Sequence, residues 1–135
     1  MGTYRAGART QRALYNGSMK LHGLRTLIYP SDNLDADKAW WAEALGIQPY
    51  FDQPFYVGFD VGGYELGLDP NGDMADGPRT YFGVDDVPAA VDHFVARGCT
   101  VHEKPMETGD DIVVATVKKP DGQLLGLIYK PHFKN

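Results

Sequence analysis

The sequence has a single cysteine and no long apolar run. Because Cys99 has no second cysteine to pair with, an internal disulfide is excluded, and a cytoplasmic location with Cys99 as a packing residue is expected. No apolar stretch approaches the roughly 20 residues that a membrane-spanning helix needs, so no membrane partner is expected. The chain has 135 residues, 43% hydrophobic and 23% charged, which is enough for one globular domain with its own core.

Acidic residues are absent before Asp32. The basic residues of that stretch are Arg5, Arg9, Arg12, Lys20 and Arg25, whereas the whole chain has a formal net charge of -5. The rest of the chain is therefore strongly acidic, which predicts no nucleic-acid-binding surface. We interpret residues 1–21 as a flexible basic arm, a tag remnant or an upstream extension, and residues 22–135 as a single domain.

Several catalytic motifs are also missing. The sequence contains no Gly-x-x-x-x-Gly-Lys phosphate loop, no Gly-x-Ser-x-Gly and no His-Glu-x-x-His. The histidines form no spaced pair on one predicted face, so we interpret them as surface or core residues; they are His22, His93, His102 and His132. The acidic pairs Asp35/Asp37 and Asp110/Asp111 lie at a predicted helix start and a predicted turn, where carboxylates stabilise backbone amides.

What the sequence does contain is a pair of similar segments, residues 23–69 and 77–130. Each begins with Gly-x-Arg-Thr, and each continues through an acidic turn into a helix followed by Gly46 or Gly98. Three short strands then close each segment. Two β-α-β-β-β repeats predict an α+β fold in which curved mixed sheets surround a cavity.

Hydrophobic patterns and turn residues give approximate element bounds. Strands are predicted at 24–29, 47–52, 55–61, 64–69, 79–84, 100–106, 112–118 and 124–130, and helices at 35–45 and 87–97. The first helix should bury a stripe of Ala39, Ala42 and Leu45, widened by Trp40 and Trp41. The second should bury Val87, Val91, Phe94 and Val95.

Residues 23–130 resemble the vicinal oxygen chelate superfamily, which includes glyoxalase I, bleomycin-resistance proteins and extradiol dioxygenases. The resemblance rests on the order of elements and on Leu34-Asp35 before Trp40-Trp41 and Leu45-Gly46, on Val84-Asp85-Asp86, and on Pro120-Asp121-Gly122 before an apolar strand. It implies a homodimer and a small-molecule ligand in the cavity. It implies no single activity, because the fold supports many chemistries.

The resemblance also implies four metal-ligand positions, on the first and last strand of each repeat. They correspond here to Arg25 or Thr26, Glu65 or Gly67, Arg79, and Gly126. A guanidinium only donates hydrogen bonds, and one carboxylate does not hold a divalent ion against water. We therefore predict no bound metal and no cofactor.

Strand alternation predicts which side chains face the cavity. If Arg25 and Arg79 point inward, Leu27 and Tyr29 lie on the same face as Arg25, and Tyr81 lies on the same face as Arg79. Alternate residues such as Thr26 then face the helices. The predicted site is Glu65 as the catalytic residue, with Arg25, Tyr29, Arg79 and Tyr81 as ligand-binding residues. An anionic ligand, an internal ion pair with Glu65, and arginines that reach solvent all remain open.

Three functions fit these observations. One is a metal-free protein of the bleomycin-resistance type that binds a small organic molecule, anionic if the arginines contact it. Another is a lyase- or isomerase-like enzyme with Glu65 as base and the arginines as anion stabilisers. The third is a non-catalytic interaction scaffold. Free volume beside Glu65 would favour the first two, and a cavity filled with tyrosines would favour the scaffold.

Overall fold

The computed structural model describes residues 19–132, so most of the arm predicted over residues 1–21 lies outside the described residues. The elements are β1 Leu24–Pro30, α1 Leu34–Leu45, β2 Phe51–Gln53, β3 Tyr56–Val61, β4 Tyr64–Asp69, β5 Arg79–Gly83, α2 Val87–Val95, β6 Thr100–Gly109, β7 Ile112–Lys118 and β8 Leu124–Tyr129. A 3-10 turn at Met74–Asp76 lies between the repeats. The predicted β-α-β-β-β order is confirmed in both repeats, although residues 47–50 are not part of a strand.

Local sequence sets the helix ends. Asn33 caps α1 by accepting a hydrogen bond from the Ala36 amide, and Asp86 caps α2 by accepting one from Ala89. Gly46 follows α1 with a φ of 74°, a left-handed conformation that glycine adopts without steric cost. Neither helix in the described chain is long and apolar enough to cross a membrane.

All eight described strands form one mixed sheet in the order β2-β3-β4-β1-β5-β8-β7-β6. Within each repeat the first and last strands pair in parallel, as β1 with β4 and β5 with β8. The repeats join through antiparallel pairing of β1 with β5. The expected separate sheets are therefore continuous with each other.

Both helices cover the same face of this sheet. Beneath α1 lies a cluster of Val57, Phe59, Leu66 and Leu68, and the larger cluster at α2 contains Val84, Val87, Ala90, Val91, Cys99, Ala115, Val117 and Leu127. Cys99 is buried in that core, in agreement with a packing role. The two cores therefore leave the opposite face of the sheet free of described helices.

That opposite face is concave. Arg79 donates hydrogen bonds of 3.2 Å both to Asp69 on β4 and to Glu103 on β6. These two strands are five strand spacings apart, which is about 24 Å in a flat sheet. One guanidinium contacts both carboxylates because the sheet curls around it.

The residues that the two helices bury differ in part from those predicted. No residue of α1 is fully buried; Leu34, Trp41, Ala42 and Leu45 pack on the core, while Ala39 and Trp40 are exposed. In α2, Ala90 is buried, whereas Val95 is 42% exposed at the end of the helix. Val95 is the last residue of α2, and the core cluster beneath the helix includes contacts with Phe94 but not with Val95.

Candidate functional site

A β-bulge at Arg25 determines which residues of β1 face the concave side. The pairing moves from Leu24–Phe82 to Thr26–Tyr81, which leaves Arg25 as the extra residue. Thr26 therefore faces the concave side. Tyr29 lies on the helix side, with its ring 5.4 Å from that of Trp41. The inward orientation predicted for Tyr29 and the outward one predicted for Thr26 were wrong, because the bulge shifts the alternation by one residue.

Arg25 lies over Gly83 at the end of β5. A Cβ atom on Gly83 would be 2.9 Å from the Nε of Arg25, so the absence of a side chain at Gly83 provides the space for the guanidinium arm. The Nη1 atom also donates to the Leu24 carbonyl at 3.2 Å. Arg25 is thus held along the edge of the concave face.

Arg79 lies on the concave face, only 7% exposed. Its two terminal nitrogens bind Asp69 of the first repeat and Glu103 of the second, and we call these three residues the Arg79 bridge. Thr116 donates a further hydrogen bond of 3.2 Å to Glu103. The charge of Arg79 is therefore neutralised by two carboxylates, and neither of them is Glu65.

Glu65 lies at the other end of β4 from Asp69, with its side chain 13% exposed. Its Oε1 accepts a hydrogen bond of 3.2 Å from Thr26, and its Oε2 accepts one from the Tyr50 hydroxyl. Tyr56 also forms a hydrogen bond with Glu65, and Lys130 Nζ lies 3.8 Å from Oε1. Hydroxyl groups from two strands and one loop thus orient the carboxylate.

Two tyrosine rings fill the middle of the concave face. A Cβ atom on Gly67 would overlap the Tyr56 hydroxyl, and one on Gly126 would lie 2.5 Å from the Tyr81 ring. Gly67 and Gly126 occupy equivalent places on β4 and β8. Each last strand therefore has a glycine where a tyrosine from a neighbouring strand lies flat on the sheet.

The tyrosines at this face are held as neutral hydroxyls. Tyr50 is 59% exposed as a residue, but burial around its hydroxyl is the largest cause that raises its pKa, followed by its hydrogen bond to Glu65 and the charges of Glu65 and Asp60. Burial also raises the pKa of Tyr56, followed by the charge of Glu65. The pKa of Tyr81 is raised by burial despite the opposing charge of Arg79. All three therefore stay protonated and able to donate.

A pocket of about 240 Å³ opens beside Glu65. We call it the mouth pocket; it is lined by Tyr50, Asp60, Gly63, Tyr64, Glu65, Lys130 and His132. Of the predicted site residues, only Glu65 lines it. Sequence reasoning missed the others because the curl of the sheet brings Lys130 and His132 from the second repeat to the first. Asp60 could have been found, because it mirrors Glu65 across the Gly62-Gly63 hairpin.

The residues at the four expected ligand positions do not fit a divalent ion. Thr26 donates to Glu65, Arg79 is a cation, and Gly126 has no side chain. Within residues 19–132 no group of three or more His, Cys, Asp or Glu side chains is arranged to hold a metal. His22 bonds instead to Asp85 at 2.9 Å, and His102 lies 4.0 Å from Asp76.

Comparisons with known proteins agree on the fold. The model of the Glyoxalase/Bleomycin resistance protein/Dioxygenase superfamily matches residues 23–127. A Mn(II)-bound glyoxalase from Novosphingobium aromaticivorans is 20% identical to this chain, with a TM-score of 0.64. The match covers 82% of this chain and 40% of the glyoxalase chain. Methylmalonyl-CoA epimerase from Streptomyces coelicolor, in complex with 2-nitronate-propionyl-CoA, is 15% identical to this chain, with a TM-score of 0.65. The match covers 86% of this chain and 99% of the epimerase chain. Among curated proteins, none matches the sequence significantly.

Proposed function

Because this chain belongs to the Glyoxalase/Bleomycin resistance protein/Dioxygenase superfamily, we propose that it binds a small organic molecule in the mouth pocket without a metal. One observation carries this proposal. The middle of the concave face is filled by Tyr56 and Tyr81, whereas open volume of about 240 Å³ remains beside Glu65. A concave site with a few converging polar groups is the usual form of a small-molecule site.

The donor set supports the metal-free part of the proposal. The Novosphingobium glyoxalase is a manganese-bound protein. A divalent ion needs several oxygen or nitrogen ligands, and here the equivalent positions offer one carboxylate, Glu65, which already accepts hydrogen bonds from hydroxyl groups. The two carboxylates nearest to Arg79, Asp69 and Glu103, are bound to its guanidinium and are not arranged with Glu65 as a ligand set.

The geometry changes the predicted set of ligand-binding residues. Glu65, Tyr50 and Lys130 are the residues that we propose contact the ligand. Tyr81 and Arg79 lie on the concave face but do not line the pocket. Tyr29 packs in the core on the helix side of the sheet. An anionic ligand loses its main support, because Arg79 is already paired with two carboxylates.

The lyase or isomerase alternative is not favoured by the contacts of Glu65. Each carboxylate oxygen of Glu65 already accepts one hydrogen bond, from Thr26 or Tyr50, so part of its accepting capacity is used to hold the side chain in place. The open pocket likewise does not favour an inert scaffold. Tyrosines do fill the centre of the concave face, which was the feature predicted for a scaffold, but the pocket beside them remains open. Binding is therefore the function that the site supports best.

A thermal-melting screen tests the proposal. A panel of small amines, carboxylic acids and amino acids should contain compounds that raise the melting temperature, because a ligand that binds the native state stabilises it. Glu65→Gln should reduce that rise, whereas Glu43→Gln, at an exposed position on α1, should not. Zn²⁺, Mn²⁺ and Ni²⁺ should give no rise. A rise with one of these ions that Glu65→Gln abolishes would refute the metal-free site.

We also propose that residues 22–135 act as one domain that forms a homodimer. Large apolar side chains are exposed on the surface; they include Leu24, Trp40, Phe55 and Met106, each more than half exposed. The terminal strands β2 and β6 also consist mostly of exposed residues. Light scattering at micromolar concentration should give the mass of a dimer, and a monomer mass would refute this assembly.

A further inference from the structure

The mouth pocket has acidic side chains from one repeat, the acidic wall, and basic side chains from the other, the basic wall, and the two sets meet at the Glu65–Lys130 ion pair of 3.8 Å. Asp60 and Glu65 come from the β3–β4 hairpin of the first repeat, and Lys130 and His132 follow β8 of the second. Because side chains of both signs line one small pocket, we propose that the ligand is a small zwitterion with neighbouring ammonium and carboxylate groups. This inference rests on the proposed function of the same pocket and names the class of ligand.

The acidic wall favours a cationic group. Asp60 and Glu65 are directly opposite each other on antiparallel strands and face the same side, an arrangement in which like charges repel. Asp60 accepts one hydrogen bond of 2.8 Å, from the Gly63 amide. With histidine counted as neutral, the lining has two negative side chains and one positive, Lys130. An ammonium group between the two carboxylates would relieve the repulsion between them.

The basic wall favours an anionic group beside the ammonium group of the ligand. Lys130 is ion-paired with Glu65 at 3.8 Å, and its ammonium carries three N–H groups, so it can also donate to a ligand. A ligand carboxylate can accept hydrogen bonds from the Lys130 ammonium and the His132 ring. A plain amine offers no charge complementary to the basic wall, and a plain acid offers none complementary to the acidic wall. A ligand with both charges matches both walls.

The remaining lining sets the size and the character of the uncharged part. Tyr50 and Tyr64 border the pocket and are 59% and 44% exposed, so their rings are accessible to an apolar or aromatic group. The volume of about 240 Å³ is below the range of ~300–1,000 Å³ that is usual for drug-sized ligands. A compound of amino-acid size fits these limits.

Three matched compounds test the inference by isothermal titration at neutral pH. Phenylalanine, phenethylamine and 3-phenylpropionate share a ring and a two-carbon spacer but differ in charge. Phenylalanine should bind at least about ten-fold more tightly than either of the others, the ratio that corresponds to one lost charge contact of moderate strength. Asp60→Asn should weaken the binding of phenylalanine and phenethylamine but leave that of 3-phenylpropionate unchanged. Lys130→Met should weaken the binding of phenylalanine and 3-phenylpropionate but leave that of phenethylamine unchanged.

Exposed positions far from the pocket supply controls for the two variants. Asp92→Asn on α2 and Lys104→Met on β6 remove the same charges and should change none of the three affinities. Melting curves without ligand show whether each variant is folded. If a singly charged compound binds as tightly as phenylalanine, the zwitterion inference is wrong while the pocket remains a binding site. If none of the three binds, the inference is also wrong, and the broader melting screen decides separately whether the pocket binds another class.

Discussion

Gly67 and Gly126 give the concave face its shape because each leaves space above the sheet for a tyrosine ring. The Tyr56 hydroxyl lies over Gly67 and, from there, bonds to Glu65. The Tyr81 ring lies over Gly126 in the same way. A side chain at either glycine would displace a ring, so these small residues determine both the filling of the centre and the position of the Glu65 carboxylate.

Gly67→Ala should therefore destabilise the fold by about 1–3 kcal/mol, the usual cost of forcing an extra methyl into a packed site. In a Tyr56→Leu background the cost of Gly67→Ala should be less than half as large, because the group that it displaces is gone. Urea denaturation of the four proteins in this double-mutant cycle measures the coupling. Gly126→Ala serves as the control, since its new methyl meets Tyr81 and should stay costly in the Tyr56→Leu background. Additive costs for Gly67→Ala and Tyr56→Leu would contradict this account.

Tyr56 also makes stability depend on alkaline pH. Burial and the charge of Glu65 raise its folded-state pKa above the ordinary value of 10.0, so the folded chain holds this proton more tightly than the unfolded chain. The resulting stability is fully present below pH 10.0 and is lost as the pH rises from there toward the folded-state pKa. Tyr56→Phe should lower the free energy of unfolding by about 1 kcal/mol at neutral pH and reduce its decline above pH 10.

Denaturation curves at a series of alkaline pH values, with tyrosinate absorbance followed in parallel, measure that decline. Tyr64→Phe is the matched control because Tyr64 is 44% exposed, and its alkaline profile should follow that of the unmodified chain. If Tyr56→Phe left the alkaline decline unchanged, the hydroxyl over Gly67 would not be the group responsible.

At the scale of elements, local signals in the sequence predicted most of the fold. The Gly62-Gly63 turn, the glycine after α1 and the alternating apolar residues specify their elements through short-range geometry, and β4 and β7 have the predicted bounds. The bulge at Arg25 was not predictable in this way, because no residue between Gly23 and Pro30 marks where the alternation shifts. One misplaced residue reverses every later side chain of a strand, which is why Tyr29 was assigned to the wrong face.

The candidate site was predicted only where it depends on one strand. Glu65 was expected on the concave side and lies there, since its residue type and place on β4 are local properties. Tyr50 and Lys130 approach it through a loop and through the curl of the whole sheet. Because curl depends on all eight strands together, the sequence of any one of them does not reveal these contacts.

The α1 helix offers a test of how a helix without fully buried residues is held on the sheet. Trp41 packs on Tyr29 and the first-repeat core, whereas its neighbour Trp40 is 61% exposed and contacts Trp41 edge-on at 5.0 Å. Trp41→Ala should cost about 2–3 kcal/mol, less than a fully buried aromatic residue. Trp40→Ala should cost less than about 1 kcal/mol. Chemical denaturation at low protein concentration separates them, and equal costs would mean that α1 is held by its exposed side.

For the whole molecule, the Arg79 bridge is the contact that spans the concave face. Asp69 belongs to the first repeat, and Arg79 and Glu103 belong to the second, so one guanidinium joins β4, β5 and β6. A buried cation needs such partners, because its lost hydration is not otherwise replaced. The planar guanidinium can bind two carboxylates through separate N–H groups, which a lysine ammonium cannot do with the same geometry. The bridge therefore stabilises the curl that places Lys130 near Glu65.

Removing either carboxylate of the bridge should destabilise the protein, but to different extents. The Asp69 side chain is 24% exposed and that of Glu103 is 55% exposed, so water replaces the bond to Glu103 more readily. Asp69→Asn should cost about 1–3 kcal/mol and Glu103→Gln less than about 1 kcal/mol. The double variant should cost more than the sum, because only then does the buried guanidinium lose both anions. Urea denaturation of the three variants measures these costs. Equal or additive costs would mean that Arg79 is hydrated and that the curl of the sheet is set by its strands alone.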